Sequence, residues 1–588
     1  MTKMIKKLMF VPMIMGGLLA TAAWAGPKHI KLSDDFKNTR LEDTVDVIIQ
    51  YNEPVSDKHI RTVQQHGGHH KHTFQNINAA HVSIPASQLE SLADDPSIAR
   101  ITPNRAIHGQ LDHTVSAVNY STLINYMRGV GISSKGAGVG IVVIDSGVSP
   151  MANFNQSRSS GNRLVDAESL IDNDPIDRYG HGSHVAGIAA GTDNITAGIS
   201  GALRAFSGVA QDSNIISLKV LDANGNSNDT TVMQAIDRAI TLKSARPDWN
   251  IRVINLSLGR PVFESYKYDP LCQEVEKAWK AGIFVAVAAG NDGRNNTAVN
   301  AGYGTIMSPG NDPLVMTVGA VNAADSYDRN ATVLTSYSSK GPTLIDHIVK
   351  PDIVAPGNRV TSYLAPNSML PAMYPENVPA ASIYDPHATP GTASPYFFTL
   401  SGTSMATPVV AGLAAMAFQY FPAITPDQIK AIMMKTAWRG LPQNYTAIDP
   451  TTGAAYAVSG DIFTVGAGML DCYAAAQDVI YENLYTLPGA PGAAASPAVY
   501  YDPSSKTVKM SLNSMGATSV TWGTSVTWGT SVIWGTNVSG SSVTWGTSVT
   551  WGTSTASGFS VIWGSSSPWA FSSTPTGEAN SVTIYGEQ

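Results

Sequence analysis

Cysteine is nearly absent, with Cys272 and Cys472 the only two in 588 residues. They allow at most one disulfide, and their separation along the chain does not decide whether they pair. Charge is sparse as well: Asp, Glu, Lys and Arg make up 14% of the chain, and the net charge is −7. With no basic surplus, nothing in the composition points to nucleic acid. Long apolar runs are also missing. The run Leu8 to Ala20 spans about 13 residues against the roughly 20 a membrane-spanning helix needs, and no later stretch is longer and equally apolar, so no transmembrane anchor is expected.

That short run has another meaning. Lys3, Lys6 and Lys7 precede it, and Ala23-Trp24-Ala25 supplies a small-x-small cleavage site, so residues 1–25 read as an export signal. A secreted protein, extracellular or periplasmic, is expected. At 43% hydrophobic residues the chain is globular in composition, and 588 residues exceed one core. The expected division is a signal at 1–25, a small domain at 26–110, a large one at 111–485 and an extension at 486–588.

The large domain is organised around Leu400 to Gly412, LSGTSMATPVVAG. Gly402 permits a sharp turn, Ser404 follows it, and Met405 to Tyr420 is apolar enough for a buried helix. Ser404 therefore sits at a helix N-terminus, where free N–H groups and the positive end of the dipole favour developing negative charge. Pro408 is expected in the first turn, where its missing N–H costs nothing. A serine hydroxyl needs a base and an orienting carboxylate. GVGIVVIDSG, Gly138 to Gly147, reads as a buried parallel strand delivering Asp145 at its end, and GHGSHVAG places His181 between glycines before a helix. Further strands are expected at Asn214 to Leu221, Arg252 to Leu258, Ile283 to Ala288 and Val315 to Val321, and helices at Thr231 to Lys243 and Asp269 to Ala281. Such alternation predicts an α/β fold, a parallel sheet with helices on both faces and its site beyond the strands' carboxyl ends.

The order Asp145, His181, Ser404, together with VVIDSGV, HGSHVAG, Ser257-Leu258-Gly259, AAGND, SSKGP, KPDIVAPG and GTSMATP, resembles the subtilisin-like serine proteases over residues 110 to 480. The resemblance implies a serine endopeptidase acting on proteins or peptides through an acyl-enzyme, with no catalytic cofactor. Asn291 would be the oxyanion donor. Ser257, Leu258 and Gly259 would pair with an extended substrate, Ala289 and Gly290 would wall the neighbouring pocket, and Met307 would be its floor. Ser183 stands where threonine is usual in the family, and Asn153 where relatives often have a calcium-binding aspartate. Asp172, Asp174 and Asp177 leave structural Ca²⁺ open beside the plainer reading of a solvated acidic loop. The Pro-rich stretch Leu364 to Tyr396 reads as a lid or, more plainly, a surface loop.

In the small domain, strands at Val45 to Tyr51, Phe74 to Ile77, His81 to Ile84 and Ile98 to Ile107 alternate with helices ending at Gln65 and spanning Ser87 to Ala93. This ferredoxin-like α+β pattern resembles the family's inhibitory prodomain, which implies self-processing of a zymogen between Ile107 and Ser116. His66, His69, His70 and His72 are expected on a turn, with metal binding or pH sensing as alternatives. Residues 518–564 repeat SVTWGT, a β-prone Trp-rich pattern compatible with a structural appendage or with contact to polysaccharide or a cell envelope. A rival reading is a catalytically silent adhesion or carbohydrate-binding protein that uses those repeats.

Overall fold

The computed structural model describes residues 29–103 and 117–511, with short gaps, and residues 586–587. The export signal, the expected processing region and the SVTWGT repeats lie outside the described residues. The chain divides into two compact units, Met1–Asn104 and Arg105–Gln588.

The first unit runs β1 (Thr44–Tyr51), α1 (Asp57–Gln65), β2 (His69–Phe74), β3 (Ala79–Pro85), α2 (Leu89–Ala93) and β4 (Ile98–Pro103). Its strands pair antiparallel in the order β2-β3-β1-β4. Alternation turns Val47, Ile49, Val82, Ile84 and Ile101 inward, where they pack with Val63, Leu89 and Leu92. The histidine-rich stretch differs from expectation. His66 caps the end of α1, while His69, His70 and His72 lie on β2 opposite Ser83, Val82 and His81. Two glycines make the connection alone. Gly67 adopts φ +71, and a Cβ on Gly68 would stand 2.6 Å from Val63 Cγ1, so the strand begins immediately after them.

The second unit is built on a sheet ordered β11-β10-β9-β8-β5-β7-β6, with β12 beside β10. Its strands are β5 (Gly140–Asp145), β6 (Leu164–Ser169), β7 (Asn214–Lys219), β8 (Ile251–Leu256), β9 (Phe284–Ala288), β10 (Met316–Asn322), β11 (Val333–Leu334) and β12 (Ile353–Pro356). All pair in parallel except the two-residue edge strand β11, so the expected parallel sheet is in fact mixed. The strands read as continuous apolar runs because they are covered on both sides. All six residues of β5 are buried.

The principal helices are α3 (Tyr120–Gly129), α4 (His181–Ala190), α5 (Asp229–Ala245), α6 (Pro270–Lys280), α7 (Thr403–Tyr420), α8 (Pro426–Lys435) and α9 (Cys472–Tyr481). After β5 the chain makes β6 and β7 on one side, then crosses to β8 on the other. That reversal opens a crevice beyond the carboxyl end of β5. Helix α7 packs on β8, β9, β10 and β12 and against α4, which brings the start of α7 to the same end as the start of α4.

Strands β13 (Val360–Tyr363) and β14 (Phe397–Leu400) form an antiparallel ribbon that leads into α7. The stretch Leu364 to Tyr396 is the excursion between them and is anchored: Met369 N donates to Arg178 O at 2.9 Å and Leu370 N to Tyr179 O at 3.0 Å. It therefore braces the loop that precedes His181. Cys272 and Cys472 are buried free thiols, and burial pushes the pKa of both well above the usual thiol range.

Candidate active site

Gly402, at φ +144, precedes α7, which starts at Thr403 rather than Met405. Ser404 is thus the second helical residue, and its N–H has no acceptor within the helix. The early start moves Pro408 inside the helix instead of its first turn. A proline there removes the N–H that Ser404 O would accept four residues on. Ser257 Oγ takes that place, donating to Ser404 O at 2.8 Å, while Ser404 Oγ donates to Ser257 O at 3.1 Å. The Gly402–Ser404 turn is fastened to the residue that follows β8.

Asp145 ends β5 with its side chain fully buried, and His181 Nδ1 lies 2.8 Å from Asp145 Oδ1. Ser146 N donates to the same oxygen at 2.7 Å. A carboxylate on Nδ1 fixes the imidazole with its proton there and leaves Nε2 free to accept. Burial by itself pulls His181 down, but the charge and hydrogen bond of Asp145, with help from Asp177, outweigh it, and the net direction is above the ordinary histidine value. The other histidine of HGSHVAG has a different task. His184 is buried, its Nε2 within 3.1 Å of Val360 O and 3.0 Å of Phe398 O, and burial pushes it down to about 3. It ties α4 to the β13–β14 ribbon as a neutral ring.

Asp177 was expected as a solvated or calcium-binding acid. Instead it is buried beneath the dyad. Its Oδ1 accepts from Gly180 N at 2.7 Å and Ser146 Oγ at 2.8 Å, and its Oδ2 accepts from Ser183 N at 2.8 Å. Ser146 Oγ in turn accepts from Gly182 N at 2.9 Å. This network holds the backbone on both sides of His181. The close fit also demands glycine at 182, where a Cβ would meet Gly147 O at 2.1 Å. Asp172 and Asp174 are engaged elsewhere, by Lys219 at 2.8 Å and Arg178 at 2.7 Å. The three acids do not share a site, and among the described residues no group of three His, Cys, Asp or Glu converges as a metal site.

Asn291 follows β9, and its Oδ1 accepts from Thr403 N at 2.9 Å and Thr403 Oγ1 at 3.1 Å. With the oxygen engaged at the start of α7, the N–H₂ is the part of the amide left to donate. Ser257 is buried, Leu258 half-buried and Gly259 exposed. Met307 joins this segment to Ala289-Gly290: Met307 N donates to Ala289 O at 3.0 Å, and a Cβ on Gly259 would meet Met307 Cβ at 3.1 Å. A Cβ on Gly290 would meet Met307 Cγ at 2.7 Å. The thioether thus lies between the two segments expected to wall the pocket.

The structure brings Asp145 and His181 into direct contact and sets Ser404 on the helix packed against that of His181. Among the described residues no hydrogen bond joins Ser404 to His181, because the hydroxyl is turned to Ser257 O. The reciprocal bond to Ser257 and the Asp177 network are the features the sequence did not suggest. Proline at the fourth position of the apolar run Met405 to Tyr420 was a signal for the first, since some acceptor had to lose its donor.

A profile of the subtilase family matches residues 136–468. The chain is 31% identical to serine protease AprX of Bacillus subtilis (strain 168) over 368 residues, covering 62% of this chain and 75% of that protein. It is 29% identical to a thermostable alkaline protease of Halalkalibacterium halodurans over 379 residues, 64% of this chain and 82% of the relative. Against subtilisin E of Bacillus subtilis it is 28% identical over 418 residues, 71% and 85% respectively. Among solved structures, a cold adapted subtilisin-like serine proteinase aligns at 26% identity and TM-score 0.35, covering 52% of this chain and 84% of that one.

Proposed function

Because this chain belongs to the subtilase family and is a serine endopeptidase, we propose that Asp145, His181 and Ser404 carry its acyl transfer, with Asn291 as oxyanion donor. The observation that carries this reading is the buried Asp145–His181 pair at 2.8 Å, which presets the imidazole as a base. Ser404 Oγ leaves Ser257 O and gives its proton to His181 Nε2 as the oxygen attacks the scissile carbonyl. The carbonyl oxygen, now negative, takes hydrogen bonds from Ser404 N–H and the Asn291 amide. His181 then returns the proton to the departing amine, and an acyl group remains on Ser404. Water, deprotonated by His181, attacks that ester and releases the acid. Asp145 holds the ring and offsets its transient positive charge throughout.

Substrate enters as an extended strand along Ser257-Leu258-Gly259, with the side chain before the cut entering between Gly259 and Gly290 and meeting Met307. Support for a small or narrow preference comes from the placement of that thioether. The first unit acts as the enzyme's own inhibitory prodomain, removed by self-cleavage between Ile107 and Ser116, and the enzyme is secreted. Peptide hydrolysis by purified wild type, lost in Ser404→Ala and reduced by about 10⁴ in kcat in Asp145→Asn, tests the chemistry. An uncleaved precursor in Ser404→Ala tests the self-processing, and a normally processed Ser404→Ala protein contradicts it.

A further inference from the structure

Glu587 is one of the most deeply buried acids in the second unit, although it lies far along the chain from every residue it touches. Its carboxylate enters a socket with a donor for each oxygen. Arg294 Nη2 donates to Oε1 at 2.6 Å, Ser336 N reaches Oε2 at 2.9 Å and Oε1 at 3.1 Å, and Ser336 Oγ also donates to Oε1. The backbone is gripped as well. Glu587 N donates to Asn358 Oδ1 at 2.7 Å, and Glu587 O accepts from Asn358 Nδ2 at 2.7 Å and from Asn322 Nδ2 at 3.5 Å. A side-chain amide that pairs with both the N–H and C=O of one residue reads backbone as an adjoining strand would. Arg294 completes a buried cluster: it also pairs with Asp449, donates through Nε to Ser336 Oγ at 2.6 Å, and lies over Tyr456 with its guanidinium carbon 4.1 Å from the ring centroid.

The residue before the acid is equally constrained. Gly586 sits at φ +72, and a Cβ there would stand 2.6 Å from Ser401 Oγ and 2.6 Å from Arg359 Cγ. The socket therefore selects Gly followed by Glu. It also lies against both halves of the catalytic machinery. Arg294 is three residues beyond Asn291, and Gly293 N donates to Tyr337 O at 2.8 Å, next to Ser336. On the other side, Gly357 O, beside Asn358, accepts from Gly402 N at 2.8 Å, and Arg359 N donates to Ser401 Oγ at 2.8 Å.

We propose that this socket is a binding site for the chain's own Gly586–Glu587 segment, and that its occupation positions the Asn291 loop against the Gly402–Ser404 turn. Glu587 is a positioning residue that touches no substrate. The catalytic part rests on the triad reading above. The docking part does not.

Docking is measured in a Ser404→Ala protein lacking residues 586–588, titrated with a dye-labelled peptide of residues 581–588, SVTIYGEQ. Saturable binding is expected, weaker by about tenfold or more for the same peptide with Gln in place of Glu587, as for loss of charge-assisted hydrogen bonds. No saturable binding, or equal binding of the two peptides, overturns the site. Positioning is measured in the full chain. Glu587→Gln and Gly586→Val should each lower kcat by about tenfold with KM little changed, and SVTIYGEQ added to active enzyme lacking residues 586–588 should restore kcat. Unchanged kcat in both variants overturns the positioning role even if Tm falls. Phosphonate labelling of wild type keeps a failure of the triad reading distinct from a failure of this one.

Discussion

Ser257 and Ser404 exchange hydrogen bonds, the side chain of each reaching the backbone carbonyl of the other at 2.8 and 3.1 Å. Pro408 makes the first of these necessary by removing the helical donor to Ser404 O. Ser257→Ala should therefore cost about 1–3 kcal/mol in urea unfolding, as a buried acceptor loses its partner. In a Pro408→Ala background a backbone N–H is available again, and the same substitution should cost clearly less. Equal costs in the two backgrounds would show that Ser257 does not substitute for the missing N–H.

The pH profile follows from the direction of the His181 shift. Burial lowers its proton affinity, but Asp145 overcomes that, so the ring stays protonated to higher pH than free histidine. Only the neutral ring can act as the base, and activity should rise with pH through a midpoint above the ordinary 6.5. In Ser404→Ala, NMR titration of His181 should show that raised midpoint, and adding Asp145→Asn should lower it. A midpoint indifferent to Asp145 would remove the carboxylate from its assigned role.

The proposed oxyanion role of Asn291 and its bond to Thr403 are separated by one pair of variants. Asn291→Asp keeps an oxygen for Thr403 but loses the N–H donor, whereas Asn291→Ala loses both. Both should lower kcat by about 10²–10³, a magnitude set by a related subtilisin, with little change in KM. Only Asn291→Ala should also weaken the fold markedly. Near-wild-type kcat in Asn291→Asp would mean that the residue serves the turn alone.

Met307→Gly should enlarge the space between Gly259 and Gly290. The ratio of kcat/KM for Phe over Ala before the scissile bond should then rise by about tenfold or more, as each added methylene finds room. An unchanged ratio on a matched peptide pair would place the pocket elsewhere.

Much of this site was legible in the sequence because its parts are local. Asp145 closes an apolar run that reads as a buried strand, His181 stands beside Gly182, where a Cβ is excluded, and Gly402-Thr403-Ser404 announces a turn into an apolar helix. What was hidden depended on how side chains and strands pack together, which no local pattern records. Asp177 reads as a member of a solvated acidic loop until Ser146, Gly180 and Ser183 close around it. The histidines on β2 carry no strand preference of their own, and only pairing with β3 makes them a strand. Arg294, Asp449 and Glu587 form one buried cluster from three separated stretches, with no periodicity to mark it.

The central claim is that Ser404 is a nucleophile activated by His181 on Asp145. Mass spectrometry of the protein treated with a serine-directed phosphonate tests it most directly. One equivalent should attach at Ser404, with the label lost in Ser404→Ala and labelling slowed by orders of magnitude in His181→Ala. Label on another serine, or equal labelling without His181, would contradict the account.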